Sequence, residues 1–452
     1  MLVPNPPRPN LWRQEANHLA RSGVTLAFNQ LLQIAIPFVT TSMTGRLGVE
    51  ALAAGSLVGN IFLLLFITSI GVLQGLVPLV GIGIGAGNEQ AAARAIRAGL
   101  VMAAAMGLVA TAIMACVPWM LARAGQDPAL VALAQRYIMA MLPGYLPSIA
   151  GIALRLSLIA ANDLKWLNPI IIAGIAFNIA CNLLLGGGSF GLDGLTAIGL
   201  TISLTNWLMF GMLALAFLRA RRIPAGVRDW RAGLALRDVL TLGIPVGAIF
   251  FTETSLFTGS SVLMGYFGKV SLAAHGIVLL WLNIALMMPI GLSQAAMARV
   301  AFLLGQRDFD ALKHAVAASL VIGSMFSIAI GAILAANSDG LVRLAMWSRP
   351  SGGEDVIAAA RNFFYFCAVT QLLSGLIILM ASILRGLRDA NAVLWLVMIG
   401  YWGVGLGGAA VLAFGFGLGG IGIWTGIVLA FMFAVTILAI RFLRVLPRLR
   451  AV

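Results

Sequence analysis

About twelve long apolar stretches run through this chain, and they constrain its fold more than any other feature. A helix rises about 1.5 Å per residue, so about 20 apolar residues cross the roughly 30 Å hydrocarbon core of a bilayer. Backbone groups find no water in lipid, so such stretches must fold as helices. The predicted spans lie at residues 23–44, 54–80, 95–118, 136–160, 168–186, 194–218, 238–264, 272–297, 314–336, 357–384, 392–414 and 418–440. We therefore predict an all-α integral membrane protein with about twelve transmembrane helices.

The charged residues indicate how these helices are oriented. Only 10% of the chain is charged and 61% is hydrophobic, which excludes an ordinary soluble globular protein. The net charge of +14 comes from Lys and Arg residues spread over loops, most densely at 219–237 and 441–450. Basic loops stay in the cytoplasm. This pattern predicts a multi-pass protein with both termini cytoplasmic and no nucleic-acid partner.

An internal repeat divides the predicted helices into two sets of six. Gly45–Leu100 aligns without gaps on Gly265–Leu320, so that LAAGSLV falls on LAAHGIV and IGVLQ on IGLSQ. Both copies start from the same side, which predicts two six-helix lobes related by a pseudo-two-fold axis along the membrane normal. The predicted organisation is a cytoplasmic N-terminal tail, an N-lobe, a basic cytoplasmic linker, a C-lobe and a basic cytoplasmic tail, at residues 1–22, 23–218, 219–237, 238–440 and 441–452.

One carboxylate, Glu253, lies near the middle of the predicted seventh span. An acid at the centre of a membrane helix costs roughly 2.5–3.5 kcal/mol on insertion scales, so such residues face a bundle interior and mark an ion or proton path. Phe250 and Phe257 share its helical face and would desolvate it. Glu253 is therefore the main candidate for ion handling, and the alternative is a purely structural residue.

Several motifs resemble those of one transporter family. LAAGSL (52–57), the stretch 272–305, ILRGLRDANAV (383–393), GYWGVGL (400–406) and LGGIGIWTGI (418–427) together resemble the multidrug and toxic compound extrusion (MATE) family, bacterial type, over nearly the whole chain. The resemblance implies twelve helices in two lobes. It also implies export of organic cations in exchange for inward-moving H⁺ or Na⁺.

The resemblance carries candidate site residues over one position at a time. Glu253 occupies the family's acidic position in the seventh helix. Asn178 and Asn182 fall on a polar pair of the fifth helix whose second member is typically Asp in one branch, and they are possible Na⁺ contacts. Thr40 stands where the first helix usually has an Asp, and Ser374 where the tenth helix often has one.

These departures favour ion coupling in the C-lobe, through Glu253. The repeat alignment places Gln33 opposite Glu253 and adds a neutral hydrogen-bonding group in the N-lobe. With Thr40 and the two asparagines, Gln33 would form either a polar pocket or a helix-to-helix hydrogen-bond cluster. His275, at the start of the eighth helix, would either titrate near neutral pH or make a structural hydrogen bond.

The resemblance and the residues together predict a secondary active antiporter, and not an enzyme. It would export organic cations and drugs from the cytoplasm by alternating access of its two lobes, in exchange for H⁺ or Na⁺. We expect a monomer in the bacterial inner (plasma) membrane, with a small cationic substrate and the lipid bilayer as partners, no cofactor and no firm metal site.

Three other classes of protein stand as alternatives to this prediction. An exporter of an endogenous metabolite or a lipid-linked compound would fit the missing N-lobe acid. A non-transporting receptor or structural protein is a remote alternative. An intramembrane enzyme would need paired acids within the spans, and the sequence has none.

Overall fold

The structure is a computed structural model that describes residues 10–186, 192–230, 233–346 and 353–448. Within these ranges the chain is helical and forms no strand. The predicted tails lie partly outside them, at residues 1–9 and 449–452. The first helices are α1 Leu11–Gln33, α2 Ala35–Arg46, α3 Val49–Leu73, α4 Leu76–Gly85, α5 Glu89–Arg123, α6 Pro128–Met141, α7 Tyr145–Ala160, α8 Leu167–Gly186 and α9 Gly194–Arg219.

The second part of the chain contributes eight further helices and two π-helical segments. These helices are α10 Leu236–Gly265, α11 Lys269–Gln306, α12 Phe309–Ala336, α13 Ser338–Ala345, α14 Gly353–Gly386, α15 Ala390–Met398, α16 Gly408–Ala410 and α17 Gly419–Arg448. The π-helical segments cover Ile399–Gly407 and Val411–Gly415.

Among the described residues, 12 helical spans are long and apolar enough to cross a membrane, which confirms the predicted fold class. They lie at Leu11–Arg46, Glu50–Gly85, Glu89–Arg123, Pro128–Ala160, Leu167–Leu185, Gly194–Arg219, Leu236–Gly265, Lys269–Gln306, Phe309–Ala336, Glu354–Gly386, Val393–Gly415 and Gly419–Val445. The chain is therefore a multi-pass membrane protein.

Proline explains the interruptions of the first two spans. Pro37 has no N–H to donate to the carbonyl of Gln33, and α1 ends at that residue. Pro78 likewise has no N–H to donate to the carbonyl of Gln74, which lies between the end of α3 and the start of α4. In α11, by contrast, the helix continues through Pro289. The carbonyl of Ala285 that Pro289 leaves free accepts a hydrogen bond from Gln371 Nε2 at 3.2 Å.

The chain packs into two compact units. One unit, here called the Glu253 unit, joins the described residues up to Ala27 with those from Ala248 onward. Its two chain segments are held by Glu15, whose buried carboxylate accepts two hydrogen bonds from Arg299, at 2.6 and 2.8 Å. Paired donors to one carboxylate are among the strong hydrogen bonds of proteins. Gly291 of α11 also lets the backbone of Ala27 approach closely.

The other unit, here called the cavity unit, covers Phe28–Gly247. A side chain at Gly75 would meet the backbone nitrogen of Gly243 at 2.8 Å, so α10 begins in close backbone contact within this unit. Arg97 is fully buried on α5 and donates to the carbonyl oxygens of Gly226, Asp229 and Gly233. The linker after α9 is therefore tied to α5.

The two units divide the chain inside α1 and α10. The predicted lobes divide it at the linker instead. They assign residues 23–27 to the N-lobe and residues 238–247 to the C-lobe, whereas the units group 23–27 with the second part of the chain and 238–247 with the first. The contacts of Glu15 and Gly291 explain the first difference, and the packing of Gly243 explains the second. A hydrophobicity profile of the sequence cannot reveal either contact, because each joins residues that are far apart in the chain.

The repeat predicted from the sequence recurs in the local geometry. Gly48 and Gly268, which are aligned in the repeat, precede α3 and α11 with positive φ angles of 106° and 93°. Asn88 and Asp308, also aligned, cap α5 and α12 by accepting a backbone N–H three residues later, at 2.9 and 3.1 Å. Glycine tolerates the first geometry, and short polar side chains favour the second.

Gly291→Ala should destabilise the Glu253 unit, because the added methyl group would overlap the backbone of Ala27. Overpacking of this kind costs about 1–3 kcal/mol. The matched control is Gly276→Ala on the same helix, where no atom lies within 4 Å of the added carbon. Thermal unfolding of the purified protein in detergent should show a midpoint lowered by several degrees for Gly291→Ala alone. Equal midpoints for the two variants would contradict this account of the packing.

Candidate ion-coupling and substrate sites

Glu253 lies in the interior of α10, about five turns beyond the helix start and about three turns before its end. Its side chain is half-buried, as are Phe250 and Phe257, one helical turn away on either side. None of the described residues donates a hydrogen bond to its carboxylate. The group therefore combines partial desolvation with free hydrogen-bonding capacity, which leaves it open to a proton or a cation.

Two side chains from other helices act on Glu253 electrostatically. Arg385, near the end of α14, is buried and interacts with Glu253 as an opposite charge. Tyr401 is fully buried and also interacts electrostatically with Glu253. The described residues show no direct ion pair between Arg385 and Glu253. Arg385 donates instead to Ser382 Oγ at 2.5 Å. Its positive charge therefore stabilises the carboxylate of Glu253 without a hydrogen bond to it.

The π-helical segment Ile399–Gly407 carries two neighbouring aromatic residues, one of which contacts α10 and the other α17. Trp402 Nε1 donates to Ser255 Oγ at 2.8 Å, while Tyr401 packs against Phe431 with ring centroids 5.1 Å apart. In a regular α-helix, consecutive residues diverge by about 100°. A π-helical turn alters this register, and such turns often occur at functional sites.

Two further predicted residues of the same unit, His275 and Ser374, are buried. His275 is fully buried, with its Nε2 atom 3.3 Å from Ser260 Oγ and its ring 5.4 Å from that of Trp424 in an edge arrangement. Ser374 is buried on α14, and its Oγ has no hydrogen-bond partner among the described residues. Within the described ranges, neither residue shares a hydrogen bond with Glu253.

The cavity unit contains a partly open cavity of about 430 Å³. Two of the predicted residues, Gln33 and Thr40, lie on its wall. The described residues that line it are Gln33, Ile36, Pro37, Thr40, Thr41, Thr44, Leu52, Gly55, Ser56, Gly59, Asn60, Phe62, Leu63, Phe66, Tyr137, Met141, Ser148, Ile171, Ile202, Asn206 and Met209. A cavity of this size is within the range that holds small organic ligands.

Asn178 and Asn182 are not part of that lining and form a hydrogen-bond cluster between helices. Asn178 Nδ2 donates to Thr205 Oγ1 of α9 at 3.1 Å. Asn182 Nδ2 donates to Asn178 Oδ1 at 3.1 Å and to its backbone oxygen at 2.9 Å. Both asparagines are buried. In the described part of the chain, no group of three His, Cys, Asp or Glu side chains could hold a metal ion.

Sequence reasoning missed several residues that the structure places at these sites. Arg385 and Tyr401 lie in recognised motifs, but no local pattern shows that they approach Glu253 from two other helices. On the cavity wall, Asn60, Tyr137 and Asn206 were missed for the same reason. The available signal was weak: each is a polar group inside an otherwise apolar span.

Comparison with known sequences identifies the family. The family model MatE matches residues 26–184 and 245–411. A protein of Rhizobium meliloti strain 1021 described as "Probable multidrug resistance protein NorM" is 32% identical over 98% of this chain and 96% of its own length. A protein of Agrobacterium fabrum with the same description is 33% identical, covering 94% and 93%. A twelve-span membrane protein with these relatives is a transporter rather than an enzyme. The chain belongs to the MatE family, as a bacterial MATE transporter.

Solved structures share this fold over nearly the whole chain. The eukaryotic MATE transporter AtDTX14 superposes with a TM-score of 0.83 at 19% identity, covering 98% of this chain and 99% of its own. A transporter of the MOP superfamily from Pyrococcus furiosus gives a TM-score of 0.87 at 17% identity, covering 97% and 98%. The predicted fold class is confirmed by this likeness and by the twelve spans.

Asn178→Ala should lower stability, because it removes the side chain that donates to Thr205 Oγ1 and accepts from Asn182 Nδ2 inside the buried cluster. Each lost hydrogen bond costs about 0.5–1.5 kcal/mol. The matched control is Asn283→Ala, since Asn283 is exposed and bonds only its own helix backbone. The midpoint of thermal unfolding in detergent should fall for Asn178→Ala and stay close to the wild-type value for the control. A fall that appears only in sodium-containing buffer would point instead to a sodium ligand.

Proposed function

We propose that this chain is a secondary active antiporter that exports organic cations and drugs in exchange for H⁺, with Na⁺ as the alternative coupling ion. Glu253 would be the coupling group. The observation that carries this proposal is a half-buried carboxylate inside a membrane span that accepts no hydrogen bond from the described residues. The descriptions of the relatives as multidrug resistance proteins support the cargo class.

The proposed coupling rests on competition for one negative charge. A cation near Glu253 favours the carboxylate and displaces its proton, while protonation removes the charge and releases the cation. Differential affinity for the two charge states links the two fluxes. Arg385 limits the cost of the bare carboxylate, because a nearby opposite charge stabilises the ionised form. Without a direct ion pair, Arg385 leaves the carboxylate accessible to the cargo.

The direction of transport depends on the orientation in the membrane. We infer from the basic loops that the linker and both termini lie in the cytoplasm and that the chain resides in the bacterial inner membrane. Alternating access and a monomeric state are further parts of this proposal.

Cysteine labelling from outside intact cells should fail at Gly226→Cys and succeed at Gln126→Cys, in a background without the native cysteines. Both positions are exposed, and an added side chain at Gly226 meets only ordinary van der Waals contact. Gln126 follows α5 at the end opposite to the linker, so it should be extracellular. Labelling at Gly226→Cys, or protection of Gln126→Cys, would reverse the proposed orientation.

Glu253→Gln should abolish efflux of a permanently cationic dye from proteoliposomes driven by a pH gradient. Glutamine keeps the shape of the side chain but cannot exchange a proton. The matched control is Glu354→Gln, which removes a highly exposed carboxylate at the start of α14 and should transport like the wild type. A sodium gradient applied in parallel identifies the coupling ion. If Glu253→Gln exports the dye at the wild-type rate under both gradients, the coupling proposal is wrong.

A further inference from the structure

We propose that the cavity of the cavity unit is a binding site for uncharged aromatic molecules that carry hydrogen-bonding groups. The site would work independently of Glu253, which belongs to the other unit. The inference goes beyond the proposed exchange of cations, because it assigns a second class of ligand to a second place in the fold. It rests on the charge, the shape and the hydrogen-bonding state of the cavity wall.

The described wall of the cavity carries no charge. Among the described residues that line the cavity there is no Asp, Glu, Lys, Arg or His. The hydrogen-bond cluster of α8 and α9 in the same unit is neutral as well, since Asn178 bonds Thr205 and Asn182. A cation that entered would lose hydration without gaining a counter-charge, which is strongly unfavourable. A neutral molecule avoids this penalty.

Part of the cavity wall is apolar and aromatic. Phe62 and Phe66 stack with ring centroids 5.6 Å apart. Tyr145 packs against Phe62 in an edge-to-face arrangement, with ring centroids 4.8 Å apart. Met141 and Met209 complete this surface. Aromatic faces favour flat ring systems, and methionine side chains adapt to irregular ligands. The cavity therefore suits a molecule with one or more aromatic rings.

The cavity wall also carries polar groups that have no hydrogen-bond partner in the described part of the chain. Tyr137 is 3% exposed, yet its hydroxyl makes no hydrogen bond there. The side chains of Asn60 and Asn206 likewise make none with the described residues. Together they offer both donors and acceptors. Because unpaired polar groups in a site disfavour a purely apolar ligand, the wall selects ring systems with ether, amide, hydroxyl or ring-nitrogen groups.

A matched pair of fluorescent probes separates charge from shape. 6-Methoxyquinoline is neutral in mildly alkaline buffer, whereas N-methyl-6-methoxyquinolinium differs by one methyl group and a permanent positive charge. Binding to the full chain in nanodiscs is measured by equilibrium dialysis, with empty nanodiscs subtracted. Using Glu253→Gln removes any cation binding at that carboxylate. In this variant the neutral probe should bind at least roughly ten-fold more tightly than the cation. Equal affinities, or tighter binding of the cation, would overturn the proposal.

Variants of the cavity wall locate the binding. Gly59→Phe projects a ring from a lining position where no atom lies within 4 Å of the added carbon, so it should fold normally and abolish binding of the neutral probe. Asn60→Asp should reverse the preference in favour of the cation. The control, Asn337→Asp at the exposed end of α12, should change neither affinity. If Gly59→Phe unfolds at the wild-type temperature and still binds the neutral probe, the site is elsewhere and the inference is wrong.

The failure of this inference and the failure of the coupling proposal give different results. The neutral probe should bind the wild type and Glu253→Gln equally. Loss of that binding in Glu253→Gln would disprove the independence of the two sites. Efflux of cations by Glu253→Gln would disprove the coupling role of Glu253 and leave the neutral cavity intact.

Discussion

Placing an ionisable side chain inside a membrane span costs free energy, and the surroundings of Glu253 depend on how this protein limits that cost. Glu253 is only half-buried, which limits its desolvation, and the nearby charge of Arg385 offsets part of the cost that remains. The protein does not neutralise the carboxylate with a direct ion pair among its described residues. A group kept in this state can be protonated or can attract a cation, and both options are needed for exchange.

The candidate sites of the two compact units differ in charge. The site in the Glu253 unit holds a carboxylate with a buried guanidinium near it. The cavity of the cavity unit has no charged side chain among its described lining, and the asparagine cluster of the same unit is neutral. Thr40 and Asn182 stand where the family resemblance leads one to expect acids, so this neutrality is already visible in the sequence. Its consequence for the ligand becomes clear only when the lining residues are known.

The sequence alone predicted the features that depend on local patterns. Apolar length identified twelve spans, and the repeat aligned Asn88 with Asp308, which cap α5 and α12 in the same way. Features that depend on distant residues were not predictable. The bond between Glu15 and Arg299 and the approach of Tyr401 to Glu253 join segments far apart in the chain. Nothing in a periodicity or a composition shows which distant segments meet.

Proton release on cargo binding tests the central claim about Glu253 most directly. A permanently cationic dye is added to the purified protein in weakly buffered detergent solution near neutral pH, and the released protons are counted with a pH indicator. The account predicts that the wild type releases protons in proportion to the dye it binds, and that Glu253→Gln releases none. Binding without proton release by the wild type, or equal release by Glu253→Gln, would contradict it.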